Sequence, residues 1–142
     1  MIHRAKRILS LLCILCLCSS VAASASDTET RAVQYFDGSY AEVTGTEERA
    51  KDWTEMVMGS KQFTYYDPQG NVLFSYIIKT RYVYDGTKAE DTGHFTMFYV
   101  SEGWEKQEDS FDGKHAKAVF SNGETEKTVR LTLSCSKNGK IS

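Results

Sequence analysis

Tight turns at short spacing constrain the fold of this chain more than any other feature of its sequence. From residue 62 onward, runs rich in β-branched and aromatic residues are separated by short turn segments, and each turn segment contains glycine. Glycine adopts the left-handed backbone conformation of tight hairpins without a steric penalty. Because no helical segments alternate with these runs, the sequence predicts a mainly β fold, an antiparallel β-sandwich or a partly open barrel. The turn segments are Asp67-Pro68-Gln69-Gly70-Asn71, Asp85-Gly86, Ser101-Glu102-Gly103, Asp112-Gly113 and Asn122-Gly123.

Alternation of apolar and polar residues within the runs predicts which side chains face the core. Residues at every second position of a strand lie on the same face of a sheet. The run 72–84 is long enough to predict a bend near residues 79–80. The alternation predicts that these side chains are mostly buried: Phe74, Tyr76, Ile78, Phe98, Val129, Leu131 and Leu133.

The segment 46–58 has a different pattern, which predicts a short helix. Thr46 can cap it, two glutamates follow at the positive end of the helix, and Ala50, Trp53 and Val57 have helical spacing. Gly59 would then end the helix. The alternative is a strand that runs from 55–58 into Phe63.

The N-terminal residues 1–25 have the features of a secretory signal peptide. Basic residues precede the apolar stretch 8–17, and Ala23-Ser24-Ala25 is a suitable cleavage site. The stretch is too short for a stable membrane anchor, and bulky residues precede the cysteines at 13, 16 and 18, which argues against lipidation. We therefore expect a secreted, extracellular protein with a polar disordered start over 26–38 and a single β domain over 39–142.

Charge excludes two classes of partner. The full chain has a formal net charge of −2, and loss of 1–25, whose charged residues are all basic, makes the rest more acidic. Nucleic acids and anionic membranes both require a basic surface. The sequence leaves the partner open, with a cell-surface glycan or protein as the candidates.

Residues that could carry out catalysis or bind a metal are few and scattered. His94 and His115 are far from Cys135 in the sequence, so that no metal or cofactor is expected. Cys135 is in phase with Val129, Leu131 and Leu133, which predicts a free, buried thiol without a disulfide. The acidic residues Glu105, Glu108 and Asp109 could mimic a glycosidase pair, but a solvated strand face explains them more simply. We expect no catalytic residues and no enzymatic activity.

Aromatic side chains are the feature with most bearing on binding. If several lie exposed on one sheet face, they could stack on sugar rings or bind an apolar partner. The candidates for ligand binding are Tyr82, Tyr84 and Trp104. The alternative interpretation is that the aromatic residues fill the core of a domain without disulfides.

Four segments within residues 63–142 carry a resemblance to known proteins: YYDPQGNVLFSY, YVYDGTKAE, the GW at 103–104 and LTLSCSKNGKIS. Together they resemble a group of small secreted β-sandwich proteins of Gram-positive bacteria whose function is uncharacterised. Members often have a cysteine shortly after the GT-A stretch, and the resemblance implies a disulfide from it to the terminal cysteine. Glu90, Asp91 and Thr92 stand there in this chain, so that the bridge is not expected.

Three functional hypotheses follow from these observations. The first is a secreted, non-enzymatic β-sandwich that binds a ligand at or outside the cell envelope. The second is a glycan-binding module that uses exposed aromatic residues. The third is a small hydrolase that uses Cys135 or the acidic residues at 105–109, and it requires a histidine near the thiol or two facing carboxylates.

Overall fold

The structure is a computed structural model that describes residues 28–52 and 54–142, and it confirms the mainly β, antiparallel fold. The first five strands form one sheet in sequential order, and the last three form a second sheet that packs against it. The predicted signal peptide, its three cysteines and Trp53 lie outside the described residues. The strands are β1 (Thr28–Gln34), β2 (Tyr40–Glu48), β3 (Met56–Tyr66), β4 (Val72–Tyr84), β5 (Ala89–Val100), β6 (Glu105–Phe111), β7 (His115–Ser121) and β8 (Glu126–Thr132).

Four of the five predicted turns connect antiparallel strands that are neighbours in a sheet, and the fifth, Ser101-Glu102-Gly103, connects β5 to β6 of the other sheet. Gly86 and Gly113 have φ values of 85° and 93°, in the left-handed region that glycine tolerates. Asp85 Oδ1 accepts hydrogen bonds from the backbone N–H groups of Thr87 and Lys88, at 2.8 and 2.9 Å. A hydrogen bond from the Thr87 hydroxyl, together with these two backbone bonds, lowers the pKa of Asp85 to about 2.

The core lies between β3 and β4 on one side and β7 and β8 on the other. Phe74, Tyr76 and Ile78 are completely buried, and the ring of Phe74 stacks on that of Phe120 with centroids 4.2 Å apart. Burial is confirmed for these three β4 residues and for Val129, Leu131 and Leu133.

Phe98 contradicts the predicted core, because 48% of its surface is exposed. It faces the second sheet, as the alternation predicts, and its ring centroid lies 6.4 Å from that of Phe120. However, β5 is an edge strand, so that no further strand covers the side of the ring.

The predicted helix over 46–58 is wrong, since there is no helix in the described part of the chain. Thr46 ends up in β2, opposite Ser60, and Met58 belongs to β3, opposite Glu48. Pairing on both sides of β3, with β2 and β4, outweighs the local helical pattern. The alternative strand into Phe63 is confirmed, with its first residue at Met56. No helix that could span a membrane occurs among the described residues.

The segment 28–34 forms a strand, in place of the disordered start that we expected over 26–38. β1 pairs with β2 along its whole length, from Thr28 opposite Thr46 to Gln34 opposite Tyr40. Its side chains from Arg31 to Gln34 are exposed. Backbone pairing therefore holds β1 without a buried apolar face, which explains why the sequence showed no strand signal there.

Candidate functional site

An exposed apolar surface lies along the second half of β5. The register with β4 places Phe95 opposite Lys79, Met97 opposite Ile77 and Tyr99 opposite Ser75, on the outer face of the five-stranded sheet. Phe98 lies on the inner face, opposite Tyr76. Their exposed fractions are 48% for Phe95, 42% for Met97, 48% for Phe98 and 54% for Tyr99. We call these four residues the β5 surface.

Three residues of the β5 surface, Phe95, Met97 and Tyr99, lie on the outer face. Strand β2, further along the same face, presents polar residues such as Glu42, Thr44 and Thr46. Ile77 of β4 lies next to Met97 and extends the apolar area. Lys79 of β4 lies next to Phe95, at the border of this area, and its ammonium group is 3.9 Å from the Glu48 carboxylate. Contiguous exposed apolar side chains on a small domain mark an interaction surface.

A polar network on the inner side attaches β5 to β6 and to β4. Asp109 accepts hydrogen bonds from Tyr76 at 2.7 Å, from Thr96 at 2.9 Å and from Lys106 at 2.6 Å. The Lys106 ammonium group also lies over the ring of Phe98, 4.0 Å from its centroid. The edge of β5 is thus held in place by residues of both sheets.

The same network keeps the Asp109 carboxylate ionised. Burial raises the pKa of Asp109, but the hydrogen bonds from Lys106, Tyr76 and Thr96 outweigh burial and lower it overall. Burial and the bond to Asp109 raise the pKa of Tyr76. A carboxylate in this state is a poor general acid, because a glycosidase requires one carboxyl group with a raised pKa.

The aromatic residues that the sequence singled out lie elsewhere. Tyr82 and Trp104 are 6% and 7% exposed, and Tyr84 is half-buried. The Tyr82 hydroxyl donates to the carbonyl groups of Leu133 at 3.0 Å and Gly113 at 3.2 Å, and the Trp104 ring packs on Phe74. Tyr82 and Trp104 therefore fill the core and present no face to a ligand.

The other candidate residues are dispersed over the molecule. Glu105 is exposed, Glu108 pairs with Lys117 at 2.6 Å, and His94 Nδ1 lies 2.6 Å from Asp91 Oδ2. His115 is exposed at the start of β7. No group of three potential metal ligands occurs among residues 28–52 and 54–142.

Cys135 is half-buried rather than fully buried, because β8 ends at Thr132 and the cysteine lies in the following C-terminal hairpin, residues 134–142. It forms no disulfide within the described part of the chain. Its thiol donates to the carbonyl group of Ser136 at 3.4 Å, and burial raises its pKa. A raised pKa reduces the fraction of reactive thiolate.

A depression of about 310 Å³ lies between β2, β3 and the C-terminal hairpin. Most of its polar side chains already have partners within the protein. The hydroxyls of Thr46 and Ser60 bond to each other, Lys61 donates to the Thr132 carbonyl at 2.7 Å, and Glu47 accepts from Arg49. The depression is therefore a weaker candidate than the β5 surface.

The sequence carried one signal that could have identified the β5 surface. Residues 95–100, Phe-Thr-Met-Phe-Tyr-Val, contain no charged residue, so that both faces of this segment are largely apolar. Comparisons with protein-family models, with curated proteins and with solved structures find no match for this chain.

Proposed function

We propose that this chain is a secreted, non-enzymatic β-sandwich that acts at or outside the cell envelope by binding a protein through the β5 surface. One observation carries the proposal: four large apolar side chains are about half exposed on an edge strand. The signal-peptide features of residues 1–25 support the extracellular location.

The chemistry of the surface favours a protein strand as the bound partner. An edge strand offers backbone donors and acceptors on its open side, and an extended chain can pair with them. The apolar side chains of the β5 surface add affinity by burial, while the backbone bonds align the partner. The surface lacks charge, which matches an apolar strand better than a charged ligand.

A glycan is the second candidate, and one observation favours it. Phe95 and Tyr99 lie on the same face, two residues to either side of Met97, and Ser75 lies opposite Tyr99. Sugar rings stack on exposed aromatic side chains, and nearby hydroxyl groups could bond to the sugar. The hydrolase hypothesis gains no such support from the described residues.

Site-specific photocrosslinking in the cells that produce the protein tests the proposal. A photoreactive phenylalanine analogue at position 99 is compared with the same analogue at position 33. Val33 lies on β1, the other edge of the same sheet, and is 50% exposed against 54% for Tyr99. We expect a covalent adduct at position 99 and none at position 33.

The chemical nature of the adduct separates the two candidates. An adduct that protease treatment removes supports a protein partner. An adduct that resists protease but is removed by glycoside hydrolases contradicts the protein proposal in favour of the glycan. Absence of an adduct at position 99, or equal yields at both positions, contradicts the β5 surface as a binding site.

A further inference from the structure

We infer that the strand bound by the β5 surface is β5 of a second copy of this chain, so that the protein forms a symmetric dimer through its five-stranded sheets. This inference rests on the proposed function, because it names the partner of the same surface. Antiparallel pairing of the two β5 strands would join the two sheets into one continuous sheet.

β5 is the least protected of the four sheet edges. Proteins prevent edge-to-edge pairing with charged residues, bulges or a covering side chain. β1 carries Glu29 and Arg31, and β6 carries several charged residues and a bulge between Lys106 and Glu108. On β8, Arg130 is exposed and Lys61 donates to the Thr132 carbonyl.

Only the first half of β5 has comparable protection. It contains Glu90 and Asp91, and the register with β4 shifts next to Asp91. The segment 95–100 has no charge, no proline, no glycine and no irregularity in its pairing with β4. A six-residue segment of this kind has the composition that favours pairing with an identical strand.

The segment is also self-complementary about Met97. In an antiparallel pair centred there, Met97 faces its own copy, Phe95 faces Tyr99, and Thr96 faces Phe98. Residues that pair directly in this register have their side chains on the same face of the sheet. A Phe95–Tyr99 pair therefore forms on each side of Met97. No two charged residues face each other between residues 94 and 100, since His94 faces Val100.

The exposed area indicates a weak dimer. Side chains of this size expose roughly 200 Å² each, so that half exposure of four leaves about 400 Å² of apolar surface per copy. Together with the two backbone edges, the pair lies at or below the lower end of specific interfaces, about 1,200 Å² in total. We expect a micromolar dissociation constant. The pairing closes on itself, because each copy has one β5 strand.

Analytical ultracentrifugation with a charge-swap design tests the dimer. The purified protein is measured between about 1 and 500 µM, a range that brackets micromolar affinity. We expect the wild type to change from monomer to dimer over this range.

Met97→Lys and Met97→Glu should each be monomeric throughout, because each places two like charges opposite each other at the two-fold axis. An equal mixture of the two variants should form the dimer again. Val33→Lys, at an equally exposed position on β1, should dimerise like the wild type.

Each other result contradicts the inference. A wild type that stays monomeric at the highest concentration excludes the second copy, while an adduct with another protein at position 99 would leave the proposed function in place. Dimers that persist in both single variants place the interface elsewhere. Failure of the mixture to dimerise excludes the register about Met97, and species larger than a dimer exclude a closed pair. Unchanged urea unfolding midpoints for the variants show that they remain folded.

Discussion

Gly113, in the turn between β6 and β7, shows how a single residue connects the two sheets. Its carbonyl group accepts hydrogen bonds from Thr80 at 2.9 Å and from Tyr82 at 3.2 Å, both of β4. Its Cα lies so close to Asp91 and His94 that a β-carbon would overlap with both side chains. A side chain at residue 113 would therefore displace the Asp91 and His94 side chains of β5.

We predict that Gly113→Ala lowers the free energy of unfolding by more than Gly123→Ala does. Both glycines have positive φ values, 93° and 88°, but a β-carbon at Gly123 would have open space around it. Alanine is strained in this left-handed backbone conformation, which should cost about 1–2 kcal/mol in each variant. At Gly113 the β-carbon also displaces the pair that Asp91 forms with His94, which should add up to about 1 kcal/mol. Urea denaturation measures both, and equal losses would contradict the close packing.

Among the elements, the C-terminal hairpin is the one held mainly by side chains from distant strands. Arg49 donates to the Tyr84 hydroxyl at 2.8 Å and to the carbonyl group of Gly139, and it pairs with Glu47 at 2.5 Å. Glu47 in turn accepts from the Ile141 N–H at 3.2 Å. Ile141 packs on Gly59, where a β-carbon would lie only 3.0 Å from its side chain.

We predict that Arg49→Ala loosens this hairpin without unfolding the sandwich. The variant removes the bond to Gly139, so that amide hydrogen exchange should become faster in the hairpin and stay unchanged in β7. Labelling of Cys135 should become faster for the same reason, because its thiol belongs to the hairpin and is half-buried only while the hairpin stays in place. Arg31→Ala, which removes an exposed pair with Glu29 on β1, is the control and should change neither. Faster exchange across β7 as well would show that Arg49 supports the whole fold.

Element boundaries were predictable where local chemistry determines them. The turns at Gly70, Gly86, Gly113 and Gly123 follow from glycine conformation, and they set the limits of β4, β7 and β8 closely. The segment 46–58 was not predictable in this way, because its strand conformation depends on pairing with β2 and β4. Local spacing cannot report such distant pairing.

At the scale of the whole molecule, the position of a strand within its sheet decides whether an apolar face is core or surface. Phe74 and Phe98 have similar alternating surroundings in the sequence, yet Phe74 is completely buried and Phe98 is 48% exposed. The difference arises because β4 lies inside the sheet and β5 lies at its edge. Strand order is a property of the entire chain, so that the uncharged pattern of residues 95–100 marks an apolar strand but cannot by itself show that the strand lies at an edge.

The two sheets are joined by a polar network as well as by the core, which makes global stability depend on pH. Tyr76 and Thr96 of the five-stranded sheet bond to Asp109 of the other sheet, and Lys106 completes the network. The pKa of Asp109 is lower in the folded protein than its ordinary value of 3.8. Its contribution to stability is therefore fully present above about pH 4 and is lost as the pH falls through the folded-state pKa.

We predict that Asp109→Asn is less stable than the wild type by about 1–3 kcal/mol near neutral pH, because the ion pair with Lys106 is lost. The difference should shrink as the pH falls below about 4 and through the lowered pKa of Asp109, because the wild-type carboxyl group then becomes protonated itself. Glu108→Gln is the control on the same strand, because Glu108 also pairs with a lysine at 2.6 Å. The side chain of Glu108 is 59% exposed, whereas that of Asp109 is 19% exposed. Because exposed pairs contribute at most about 1 kcal/mol, this control should differ little from the wild type at any pH.

Urea denaturation at a series of pH values measures the free energy of unfolding of all three proteins. A difference for Asp109→Asn that stays constant with pH, or an equal loss in Glu108→Gln, would show that the carboxylate does not join the sheets as an ion.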